Sequence, residues 1–275
     1  MNALAPIIRP AEQHNLLFRP AKGRRDLPCW IAAPVAGTSK APPLVAVHGI
    51  NREAMTQASL FKTAIGTDRT VIAPCFSPEI WPRYQLAVKK GRADKALIRL
   101  IDSLQSDGLL SGPSFELFGF SGGAQFAHRF AMMHPERVQR LMVSSAGWYT
   151  FPDQTRFPYG IENFVSEENL KRFLQIPIDI YVGADDTVVD KNTRNTPQVN
   201  AQQGINRAER AVRWAQALRR NAAKLYGIKA DVRFSALSGC GHDFEECFNK
   251  GRLGRRIAST HAETPYHYTS ADVAV

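Results

Sequence analysis

The sequence has no apolar run of the roughly 20 residues that a membrane-spanning helix needs, which excludes an integral membrane protein of the helical kind. Its first 25 residues mix Pro, Glu, His, Asn and Arg and lack the continuous apolar block of a secretory signal, so cytoplasmic residence is expected. Only 4 of 275 residues are cysteine (Cys29, Cys75, Cys240, Cys247), without a CxxC pair, too few and wrongly spaced for a zinc site or a disulfide scaffold. Reduced thiols are expected; Cys240 and Cys247, which flank His242, are the one pair placed to bridge. Internal repeats and low-complexity linkers are also missing, which leaves one domain over 1–275.

Charge is in excess on one side: 35 Lys and Arg against 25 Asp and Glu, formally +10. Clustered cations would suggest a nucleic-acid partner. The densest basic segment, 207–229, instead spaces Ala208, Ala211, Val212, Ala215, Leu218, Ala222 and Leu225 at helical period. That pattern puts the arginines on a solvated face and argues against nucleic acid.

What the chain does have is a rhythm. Apolar runs at 29–35, 44–48, 70–74, 115–120, 141–144, 178–182 and 232–237 alternate with amphipathic stretches such as 95–104. The fold class this predicts is α/β, a mostly parallel central sheet with helices on both faces. Several runs are apolar throughout, as strands covered on both sides must be. The stretch 148–177, rich in Trp, Tyr and Phe among Pro and Gly, breaks the rhythm as a short lid-like insertion, and 251–275 is a polar tail expected to fray.

Chemistry enters at Gly119-Phe120-Ser121-Gly122-Gly123, a G-x-S-x-G at the end of a predicted strand and the start of a predicted helix. A serine on such a sharp turn leaves no room for side chains two residues to either side, which accounts for Gly119 and Gly123. The positive end of the following helix makes Gly122 N–H a candidate donor to an oxyanion. A second donor is expected in the loop after 44–48, from Ile50 N–H, with Asn51 as the alternative.

A base and an orienting acid should follow in the order Ser, Asp or Glu, His. Asp186, in Gly183-Ala184-Asp185-Asp186-Thr187, leaves the strand at 178–182, with Asp185 and Asp190 as competitors. Of seven histidines, His242 follows the last strand directly, in a loop loosened by Gly239 and Gly241. His14 precedes the sheet, His48 belongs to the early loop, His128 and His134 to the helix after the serine, and His261 and His267 to the tail. Asn51, Trp148 and Tyr149 are the expected substrate-binding residues.

Together these segments resemble the α/β-hydrolase superfamily over nearly the whole chain. The Gly-Ala-Asp-Asp-Thr loop, the segment Gln203-Gly204-Ile205-Asn206-Arg207 and the long helix before the last strand resemble bacterial esterases related to polyhydroxybutyrate depolymerases. The resemblance implies hydrolysis of a small-molecule ester through an acyl-enzyme on Ser121, with no metal or organic cofactor. A nucleophilic Asp would suggest a dehalogenase and a Cys a dienelactone hydrolase; Ser121 departs from both. A thioesterase or peptidase with the same triad, or a silent scaffold that binds a ligand, are the alternatives.

Overall fold

The computed structural model describes residues 16–34, 41–66, 69–89 and 91–259. Among them one sheet is formed by β1 (Leu17–Arg19), β2 (Cys29–Ala32), β3 (Leu44–Val47), β4 (Val71–Pro74), β5 (Phe115–Phe120), β6 (Val138–Ser144), β7 (Ile178–Gly183) and β8 (Val232–Leu237). The strand order is β1-β2-β4-β3-β5-β6-β7-β8. Pairs from β4 through β8 are parallel, whereas β2 runs antiparallel to β4 and β1 antiparallel to β2.

The helices are α1 (Ala54–Ile65), α2 (Ala93–Ser106), α3 (Gly122–Met133), α4 (Glu167–Phe173), α5 (Pro197–Gln203), α6 (Arg207–Tyr226), α7 (Phe244–Asn249) and α8 (Leu253–Ala258). Because side chains alternate along a strand, each central strand feeds two cores. Val45, Val47, Phe115, Leu117, Leu141 and Val143 point to the face covered by α2, α3 and α6. Leu44, Ala46, Phe118, Phe120 and Met142 point to the face covered by α1, α7 and α8. Two-sided coverage is the reason these strands read as unbroken apolar runs. Fully buried side chains such as Phe126, Phe130 and Trp214 each contribute roughly 1.5–3 kcal/mol by leaving water.

Several expectations are corrected. The run at 29–35 is a strand only to Ala32, β6 begins at Val138 rather than 141, and β1 was not foreseen. The polar start of β6 is stabilised laterally, by Arg140 Nε donating to Asp179 on the neighbouring strand at 2.7 Å. The tail does not fray from 251: α8 buries Leu253 and Ile257 against the α1 side of the sheet. Residues 260–275, with His261 and His267, and His14 lie outside the described residues. Cys240 and Cys247 are free thiols, as are Cys29 and Cys75.

The stretch 148–177 is a packed wall more than a flap. Tyr149, Phe151, Ile161, Leu170 and Phe173 are buried in the larger core, and Tyr149 stacks on Trp214 with ring centres 4.5 Å apart. The solvated arginine face of α6 also needs correction. Arg213, Arg219 and Arg220 conform, but Arg207 and Arg210, at the helix start, are fully buried.

Candidate active site

The chain leaves β5 through Ser121, whose φ of 53° lies in the left-handed region that a side chain resists. Tight packing holds it there. Ser121 N–H donates to Ser144 O at 2.8 Å, and a Cβ on Gly119 would sit 2.2 Å from Gly123 O. On Gly123 a Cβ would sit 2.1 Å from Val47 O. Both glycines are therefore required by close backbone approach, and the serine hydroxyl is held at the carboxyl edge of the sheet.

Three loops at that edge converge. His242 Nε2 lies 3.0 Å from Ser121 Oγ, and His242 Nδ1 lies 2.8 Å from Asp186 Oδ2. Phe120 lies against the imidazole, ring centres 5.3 Å apart and planes 27° from parallel. The loops that carry Asp186 and His242 leave β7 and β8 side by side, where Asp185 N–H donates to Cys240 O at 2.9 Å. Gly183 makes this possible: a Cβ there would come within 2.3 Å of Cys240 O. Among the sequence candidates, Asp185 is exposed and Asp190 is engaged by Thr193 and Arg207, so Asp186 is the acid that touches the ring.

Asp186 does not stand alone. Arg207 Nη1 donates to its Oδ1 at 3.2 Å and Arg207 Nη2 to Asp190 Oδ1 at 2.8 Å, with Arg207 and Asp186 each 1% exposed. One oxygen of the carboxylate thus faces the imidazole and the other the guanidinium. The sequence could not show this, because an arginine on an amphipathic helix is ordinarily solvated.

The early loop is fixed by His48. Phe76 N–H donates to its Nε2 at 3.1 Å, so Nδ1 carries the proton and donates to Gly49 O at 2.8 Å. Burial pushes this imidazole down to about 4, which keeps it neutral. Tyr84 Oη donates to His48 O at 2.6 Å, and Arg52 N–H to Gly49 O at 3.1 Å. The loop so held brings Ile50 N to 3.4 Å from the position a Cβ on Gly122 would occupy. Gly122 is the first residue of α3, where an amide has no intrahelical acceptor.

Ser121 and Gly122 open on a cavity of about 240 Å³, lined also by Ile50, Tyr84, Gln125, Trp148, Lys191 and Arg194. Of the expected substrate-binding residues, Trp148 lines the cavity. Tyr149 does not; it is buried behind the wall against Trp214. Asn51 is exposed on the loop surface and is not part of the lining. Tyr84, Gln125, Lys191 and Arg194 were missed: Tyr84 lies far in sequence from any triad segment, and for Gln125, Lys191 and Arg194, close behind Ser121 and Asp186, the spacing alone does not show which side chains turn towards the cavity. Among the described residues no group of three or more His, Cys, Asp or Glu is arranged to hold a metal ion.

No protein-family model and no curated protein matches the chain. Solved structures do. A poly(aspartic acid) hydrolase-1 from Sphingomonas sp. KT-1 matches with a TM-score of 0.74 and 24% identity, over 84% of this chain and 93% of that one. A poly(3-hydroxybutyrate) depolymerase from Bordetella parapertussis gives 0.73 and 25%, over 89% and 87%. An S-formylglutathione hydrolase from Agrobacterium tumefaciens gives 0.55 and 12%, over 92% and 95%. The fold is the α/β-hydrolase fold. In this α/β-hydrolase sheet, Ser121, Asp186 and His242 follow β5, β7 and β8, and because these strands run parallel all three leave at one edge. No helix among the described residues is long and apolar enough to cross a membrane.

Proposed function

We propose that this protein is a serine hydrolase that cleaves a small-molecule carboxylic ester through an acyl-enzyme. The observation that carries the reading is the continuous hydrogen-bonded line from Ser121 Oγ through His242 to Asp186, at 3.0 and 2.8 Å. Such distances are within direct proton-transfer reach. His242 Nε2 removes the hydroxyl proton as Ser121 attacks the ester carbonyl, while Asp186 holds the Nδ1–H tautomer and stabilises the imidazolium.

The negative charge that develops on the carbonyl oxygen falls to the amides of Ile50 and Gly122, each free to donate; Asn51 is set aside because it lies outside the cavity. One such donor supplies roughly 3–4 kcal/mol of transition-state stabilisation. The protonated imidazole then delivers its proton to the leaving alcohol, and water repeats the sequence on the acyl group. These steps require no metal or organic cofactor. Trp148 forms part of the wall against which the bound ester lies. The names of the structural neighbours, a poly(3-hydroxybutyrate) depolymerase and an S-formylglutathione hydrolase among them, support hydrolysis as the reaction class and leave the acyl group to the pocket.

Turnover of p-nitrophenyl acetate and butyrate by the wild type and by Ser121→Ala is the direct test. A loss of at least about 1,000-fold is expected for the variant, together with loss of labelling by a fluorophosphonate probe. Equal rates for the two proteins would remove Ser121 from the chemistry.

A further inference from the structure

The cavity beside Ser121 is surrounded by positive charge that nothing in its own walls balances. Lys191 and Arg194 stand in its lining, and none of the lining residues is acidic. Among the described residues neither cation forms an ion pair with a carboxylate; Arg194 is instead placed over the Tyr159 ring, 5.9 Å from its centre. The nearest acid in sequence, Asp190, is already engaged by Arg207 and Thr193.

Two further guanidiniums lie behind the wall. Arg129, fully buried, donates to Thr150 Oγ1 at 2.9 Å, to Gln85 O at 2.7 Å and to the Gln125 side chain at 3.3 Å. Its Nη2 has no acceptor, and no carboxylate lies within ion-pair distance among the described residues. Arg210, also fully buried, donates to Gly147 O and to Arg194 O, carbonyls of two residues in the cavity lining. Guanidinium keeps its charge under all ordinary conditions, and a buried charge without a counter-ion is expensive. The indole of Trp148, over which Arg129 sits 5.8 Å from the ring centre, likewise has a buried Nε1–H without an acceptor.

We infer that the substrate's acyl group carries a carboxylate, held in this cavity by Lys191 and Arg194. The inference rests on the ester-hydrolase reading and narrows it to monoesters of dicarboxylic acids. Lys191 and Arg194 border the cavity from its exposed side, and the buried Arg129 and Arg210, bonded to Gln85, Gln125, Gly147 and Arg194 of the lining, add positive potential from behind it. An alkyl chain of the same length gains nothing from them.

The test compares mono-p-nitrophenyl adipate with p-nitrophenyl hexanoate, with spontaneous hydrolysis subtracted, at low and at high salt. For the wild type the ratio of kcat/KM values, anionic over neutral, is expected to exceed about tenfold at low salt and to shrink as salt screens the cations. In the Lys191→Gln, Arg194→Gln double variant the ratio should fall towards one, with the change in the KM for the adipate ester. A wild-type ratio of one or less, or a ratio that survives in the double variant, overturns the inference.

Should neither ester be turned over, the ester-hydrolase reading fails and the charged cavity is judged by binding alone. Calorimetry of monomethyl adipate with Ser121→Ala then decides: heat that the Lys191 and Arg194 substitutions abolish supports an anion site, and no heat, or equal heat, removes it.

Discussion

Arg207 illustrates how far a single side chain can reach into a site that its own element does not carry. It rises from the first turn of α6 and grips both Asp186 and Asp190. Replacing it with methionine leaves the Asp186 carboxylate buried without its cation, at a cost of about 3–5 kcal/mol. Arg207→Met is therefore expected to lower the urea midpoint and the kcat for ester turnover together, and Arg207→Lys, which keeps the charge but not the two-pronged grip, should fall between. An unchanged midpoint in Arg207→Met would show that the pair is ornamental. Residues of the elbow were legible in the sequence because steric exclusion writes itself locally, as glycines two positions either side of Ser121. Asp186 and His242 were legible from chain order. Arg207 and Arg210 were not, because whether an arginine at a helix start turns inward depends on acceptors up to 63 residues away, such as Gly147 O for Arg210.

At the level of elements, the close approach of the β7 and β8 loops is a sharp constraint. A methyl group at Gly183 would come within 2.3 Å of Cys240 O, so Gly183→Ala must push the two loops apart. Reacting groups displaced by about 1 Å lose on the order of 100-fold in rate. The expected outcome is a comparable fall in kcat, with fluorophosphonate labelling slowed in step; normal turnover would mean that the loops yield without disturbing His242. The strands of the sheet's centre could be seen in the sequence since helices on both sides make them apolar at every position. Elements at the margins could not. β1 has three residues and α8 offers only Leu253 and Ile257, one turn apart, as a buried pair, too little for either period to show. The aromatic stretch 148–177 misled for the opposite reason, since rings that fill a core and rings that line a pocket look alike until their partner, here Trp214, is known.

For the molecule as a whole, the sharpest expectation concerns acid. His48 and His128 are both fully buried, and burial lowers both: His48 to about 4, and His128 well below the ordinary value. In the unfolded chain an imidazole titrates near about 6.5. The native state therefore binds fewer protons than the unfolded one, so the contribution is present above that pH and is lost as the pH falls through the range below it. Between pH 7 and 5, His48 alone accounts for about 2 kcal/mol of lost stability. Urea midpoints over that range should drop steadily, and a flat profile would contradict the buried, neutral state of both rings. The excess of positive charge was plain from composition, but its concentration around one cavity was not. That placement arises from three separate stretches: α3 with Arg129, the 191–194 segment, and α6 with Arg210.

The proposed proton path and the charged part of the pocket wall differ in how tightly they are held, although Lys191 and Arg194 follow Asp186 by only five and eight residues. Ser121, Asp186 and His242 are locked by contacts too close to admit a methyl group, whereas Lys191 and Arg194 are solvent-facing and joined to the rest by few side-chain bonds. On the proposed reading, mutational drift can thus retune which molecules enter the pocket while the geometry around Ser121 is inherited unchanged.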